Sequence, residues 1–225
     1  MAFFLYKGVT MLRIENEIIL ESLYNDIRDY NLSGPLLVSS SDEFKENIDN
    51  NKSIMYIGQE TNGWLNEGNV NDFESLYQNF LYNNNYNREF WKFIRLVIEK
   101  RNDLKLDNIL WANAIICGKK DELGTPVITD KLESISKDYL VKLYNYFKPK
   151  MVVIASGPNN PYYEIIKEFL KSIDSSLSGY YPTIKESVVS DNSKNIHYTY
   201  HPNYLNRKHI LAKNGDYLNE IYKKI

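Results

Sequence analysis

Hydrophobic positions along this chain alternate between helical and strand periods. In residues 15–30, Ile18, Ile19, Leu23 and Ile27 recur close to every third or fourth position with charges between them, which predicts an amphipathic opening helix. Ser39-Ser40-Ser41 can cap a short helix beginning at Asp42, and the run ending at Ile57 reads as the first core strand. Residues 73–81 and 88–100 return to the helical period, the second gathering Phe90, Trp91, Ile94, Val97 and Ile98 on one side. Residues 108–117 make a second strand, residues 118–126 a turn-rich connection, and residues 131–147 a helix that Pro149 stops. The nearly unbroken β-branched run Met151-Val152-Val153-Ile154-Ala155 suits a strand covered by helices on both faces. Ser156-Gly157-Pro158-Asn159-Asn160 turns out of it into a helix over residues 162–171. Val188-Val189 adds an edge strand, residues 196–200 a further core strand, and residues 204–224 a closing helix.

Strands alternating with helices predict a three-layer α/β/α sandwich around a mostly parallel sheet of about four or five strands. A chain of 225 residues with 43% hydrophobic content suits one core, so residues 1–225 are expected to form a single domain. The net charge of −2 neither supports nor excludes a nucleic-acid partner, because a local basic face vanishes in the sum. Cys117 is the only cysteine, which excludes an intramolecular disulfide framework and a cysteine-based metal cluster and points to a reduced, cytoplasmic setting. His197 on a strand and His209 on a helix read as packing or surface residues, and no histidine spacing suggests a metal. The apolar start, residues 1–7, is brief and lacks a preceding basic flank, so neither a signal peptide nor a membrane anchor is expected. Tyrosine is abundant, with 19 residues, which serves core packing and base stacking equally well.

Two strand ends carry the candidate chemistry. The first strand runs into Gly58-Gln59-Glu60, and the last delivers His201-Pro202-Asn203-Tyr204-Leu205. In a parallel sheet both ends would face one cleft, where ligands bind in open α/β sheets. Together with Leu110-Trp111-Ala112-Asn113 and the buried strand ending in the Gly157 turn, these segments resemble the uracil-DNA glycosylase superfamily across residues 53–206. That family places a Gly-Gln-Asp-like motif after its first strand, an Asn at the end of its second and a His-Pro-Ser-like motif after its last.

The resemblance implies hydrolysis, without metal or organic cofactor, of the N-glycosidic bond to uracil or a related modified base in single- or double-stranded DNA. Positive charge then develops on the sugar and negative charge on the departing base. Glu60 would stabilise the sugar and orient water, and His201 would donate to the base. Gln59 and Asn113 would read the base, with Phe73 or Trp64 as a stacking face. Gly157 would lie against DNA, Leu205 would wedge into the duplex, and Arg207 and Lys208 would meet phosphates. Departures from the family pattern are Glu60 for Asp, Thr61-Asn62 for Pro-Tyr, and Asn203-Tyr204 for Ser-Pro, which leave the base preference open. Asn113 also suits a backbone-satisfying role in the core, and Trp64 and Phe73 suit a lid or the core. Two other functions fit the same pattern: a catalytically silent nucleic-acid-binding or interaction module, and a hydrolase or binder of free nucleosides or nucleotides.

Overall fold

Thr10 accepts a hydrogen bond from the Arg13 amide and opens α1 (Met11–Asp29), while Ser41 does the same for Phe44 and opens α2 (Asp42–Asn47). The structure, a computed structural model, describes residues 10–48, 52–61, 64–83, 88–100, 105–121, 124–159, 161–182, 188–191 and 194–207. Residues 1–7, His209 and most of the expected closing helix lie outside the described residues. After α2 come β1 (Ile54–Gly58), α3 (Val70–Asn83), α4 (Glu89–Lys100) and β2 (Ile109–Asn113). They are followed by α5 (Asp130–Phe147), β3 (Met151–Ile154), α6 (Tyr162–Ile173), β4 (Val188–Asp191), β5 (Ile196–Thr199) and α7 (Pro202–Arg207).

The strands form one sheet in the order β2-β1-β3-β5-β4. Neighbours are parallel except β4, which runs antiparallel to β5 at one edge. This is a three-layer α/β sandwich, and every residue of β1, β2, β3 and β5 is buried, as expected for strands covered on both faces. Tyr56 and Trp111 are register partners on one face. Phe90, Trp91 and Phe93 of α4 pack on Tyr56, and Tyr77 and Phe80 of α3 stack on Trp111. Because β2 is the other edge, the Trp111 amide and carbonyl face away from β1. Both are taken by the Tyr77 hydroxyl, at 2.9 and 3.0 Å.

The second strand ends at Asn113, four residues short of the expected Cys117. Ala114–Cys117 stay buried, but past the Ala114 and Ile115 amides, which still bond the exit of β1, the chain turns away: the Ile116 amide donates to Ser136 Oγ and its carbonyl accepts from Leu36. A buried irregular segment has the same apolar signature as a buried strand. The last helix begins at Pro202, two residues earlier than expected, within the described residues. Cys117 is fully buried, and desolvation pushes its thiol well above the usual value. No helix among the described residues is long and apolar enough to cross a membrane.

Away from the sheet edge that carries the candidate site, Asn16 ties three elements and a loop together. Its amide donates to the Val38 carbonyl at 2.9 Å and to Glu74 at 2.7 Å, and its oxygen accepts from the Tyr139 hydroxyl at 2.9 Å. Glu74 in turn accepts from the Ser40 amide and hydroxyl. Asn16→Ala leaves several buried partners unpaired and is expected to destabilise the protein by about 3 kcal/mol in denaturant unfolding, with the slope unchanged.

Candidate functional site

Parallel β1, β2, β3 and β5 all release the chain at the same end of the sheet, and hydrogen bonds between successive residues lock those exits together. The Ala114 and Ile115 amides donate to the carbonyls of Gly58 and Gln59, and the Ala155 amide donates to Ile57. The Gly157 amide donates to Thr199, with Gly157 at φ +77°, a conformation that glycine adopts without strain. The Gln59 side chain reaches across to the Ser156 carbonyl at 2.7 Å and braces β1 against β3. Since β3 lies between β1 and β5, Glu60 and His201 emerge on either side of its end.

Both residues line one cavity of about 440 Å³, together with Gln59, Asn113, Trp64 and Asn203. Phe80, Phe90, Trp91 and Trp111 form aromatic walls, and Arg88 stands at the exposed margin. The size falls within the range of small-molecule sites, which are mostly apolar with a few fixed polar groups.

Three of those polar groups have defined surroundings. Burial holds the Glu60 carboxyl above its ordinary value, and a hydrogen bond from Tyr162 opposes part of that rise. Tyr162 is anchored in turn, its hydroxyl 2.8 Å from Thr125 Oγ1. One carboxylate oxygen, Glu60 Oε2, is closed to solvent without a partner among the described residues. The second group is His201, whose Nδ1 accepts from the Asn203 amide at 3.2 Å, so the neutral ring carries its proton on Nε2. Its imidazole stacks on Phe90, with centroids 5.8 Å apart and planes 14° from parallel. Phe90 is held from behind by Tyr56, which stacks on it at 4.3 Å and donates its hydroxyl to the Phe90 carbonyl at 2.8 Å.

Asn113 is the third group. Its Oδ1 accepts from Trp111 Nε1 at 3.1 Å, while its Nδ2 is buried with no partner among the described residues. A Cβ at Gly58 would meet Asn113 Oδ1 at 2.6 Å and the Phe90 ring at 3.0 Å, so only glycine leaves room for both. Gly58→Ala is expected to lower stability by about 2 kcal/mol, read by chemical denaturation, and to displace the Asn113 amide.

Several sequence expectations need correction. Phe73 is no stacking face for this cavity: it is 1% exposed and packs against Gly34, where even a methyl group would meet its ring at 2.2 Å. Phe90 supplies a cavity wall instead. Leu205 is fully buried, because α7 turns it inward against α4 while Tyr204 stacks on Tyr200, so it offers no exposed wedge. Gly157 lies behind His201 and is not among the cavity's lining residues. Trp64 both lines the cavity and packs, donating Nε1 to the Pro35 carbonyl at 3.2 Å. Arg207 belongs to α7, but its side chain lies outside the described residues, as does Lys208. His197 is buried between Ser190 and Asn195.

Sequence reasoning missed Phe90, Arg88, Trp111 and Tyr162 as site residues. Trp111 alone had a local signal, since it stands two positions before Asn113 and shares its face of the strand. Among the described residues, no group of three or more His, Cys, Asp or Glu side chains is arranged to hold a metal ion. Compared with known proteins, the chain matches no family model and no curated protein by sequence.

Proposed function

We propose that the protein hydrolyses the N-glycosidic bond joining uracil, or a related modified base, to deoxyribose in DNA, as its resemblance to the uracil-DNA glycosylase superfamily implies. The observation that carries this reading is the convergence of Glu60, His201 and Asn113 on one aromatic-walled cavity. Such a site separates charge in the sense the reaction needs. As the C1′–N bond breaks, its electron pair leaves with the base, and His201 Nε2–H donates to the base oxygen that gains negative charge. Glu60 faces the sugar, stabilises its positive charge and takes a proton from the water that adds to C1′. The products are an abasic site and the free base. The aromatic walls accept a base removed from its stack, offsetting the few kcal/mol that extrusion costs.

Incubating the protein with oligonucleotides containing uracil, hypoxanthine, xanthine or hydroxymethyluracil and scoring abasic sites tests this reading. Release of at least one base is expected. Release of none overturns it, and salt-sensitive DNA affinity without release would mark a silent binding module instead. A second reading, action on a free nucleoside or nucleotide, is favoured by the burial of Leu205, which leaves the duplex-opening position without an exposed side chain. Thermal stabilisation by a nucleoside and not by DNA would distinguish it.

A further inference from the structure

Glu60 is supported from outside the cavity. The Ala155 amide bonds Ile57, which sets the end of β3 beside that of β1, and the turn that follows opens α6 at Tyr162. Tyr162 is 6% exposed and is not among the residues lining the cavity, yet its side chain hydrogen-bonds Glu60. Its hydroxyl also stands 2.8 Å from Thr125 Oγ1, in the connection between β2 and α5. A phenol has one proton, and an ionised carboxylate only accepts. Both bonds are therefore made at once only when Thr125 donates to Tyr162 and Tyr162 donates to Glu60. Burial, and then the bond to Glu60, push the phenol well above its ordinary value, so it keeps its proton across the working pH range.

We infer that Tyr162 is a positioning residue for Glu60: itself held by Thr125, it donates to the carboxylate from behind and keeps that negative charge anchored beside the sugar. This rests on the glycosylase reading of the cavity. A carboxylate partly closed to water loses hydration, and a charge-assisted hydrogen bond replaces part of what is lost. The other titratable or charged groups on the cavity are His201 and Arg88, but the influences acting on the carboxyl are burial and Tyr162. Tyr162 favours the ionised form against burial. Without its hydroxyl the carboxyl holds its proton to a higher pH.

Tyr162→Phe removes the hydroxyl and keeps the ring. The test is the pH dependence of base release from an oligonucleotide carrying whichever of uracil, hypoxanthine, xanthine or hydroxymethyluracil the wild type releases best. The acid limb is expected to move up by about one pH unit, which costs about tenfold on the limb and far less on the plateau above it. In the Glu60→Gln background, where no carboxylate remains, the same substitution is expected to change release by less than about twofold. A packing role alone would lower the plateau in both backgrounds and leave the limb where it was, which would overturn the inference. If Tyr162→Phe does not fold, Thr125→Val at an exposed position decides. It is expected to move the limb the same way by less, and an unmoved limb overturns the inference. The Glu60 carboxyl carbon, followed by NMR without turnover, should also titrate at higher pH in the variant, and no movement there sinks the role of Tyr162 alone. No base released by the wild type at any pH overturns the glycosylase reading instead, and this inference with it.

Discussion

Glu60→Gln is expected to reduce base release by about a thousandfold while leaving the protein folded, because it removes the negative charge and proton acceptor but keeps the shape of the side chain. Its pH behaviour provides a second readout. Burial raises the carboxyl's pKa in the folded protein, so the fold prefers the protonated form. A raised value means that this stabilising contribution is fully present below the unfolded-state pKa and is lost as pH rises through the folded-state pKa. At neutral pH wild-type Glu60 is therefore a burden on the fold, and Glu60→Gln is expected to unfold at a higher temperature than wild type. That gain should fade as pH falls through the raised folded-state value and be gone below the ordinary carboxylate value of about 4.3. Activity runs the opposite way, rising through an acid limb above that value as the carboxylate ionises. Unchanged release, or a variant that melts lower at neutral pH, would contradict the role given to Glu60.

His201→Ala is expected to slow release by about a hundredfold or more, the usual effect of deleting a donor to a developing anion. Its Nδ1 accepts the Asn203 amide at an exposed position, so the loss should fall mainly on turnover. The Phe90 face that stacks on the imidazole remains, which keeps base binding largely intact. A donor matters less when the leaving base carries negative charge easily. The penalty should therefore shrink for 5-fluorouracil, whereas Glu60→Gln should slow both bases by similar factors. Equal penalties for uracil and 5-fluorouracil in His201→Ala would remove the imidazole from the reaction.

Legibility in the sequence varied by element for physical reasons. β3 announced itself because four consecutive apolar residues, three of them β-branched, suit only a strand buried on both faces at that length. α2 was legible from Ser41, whose hydroxyl caps the helix as its position suggested. The overrun of β2 arose because Ile116 and Cys117 stay buried after the chain has turned away from β1, so burial extends the apolar pattern past the strand. Phe73 and Phe90 both stand at apolar positions near helix starts, and spacing alone cannot say which ring reaches the cavity. The fold puts Phe73 against the backbone of Gly34 and Phe90 beside Gly58. Leu205 likewise has the sequence position of a wedge, yet the packing of α7 on α4 turns it inward.

The sequence by itself determined the alternation of strands and helices, and it identified the carboxylate, imidazole and carboxamide that stand at strand ends. Those are local properties, written in the period of apolar residues and in the chemistry of short motifs. Only the tertiary structure decided that β3 lies between β1 and β5, which puts Glu60 and His201 on one cavity, and that the Trp111 indole fixes the Asn113 side-chain oxygen at its edge. Strand order and amide orientation depend on which distant segments pair and pack, and hydrophobic periodicity carries no information about a residue's partner.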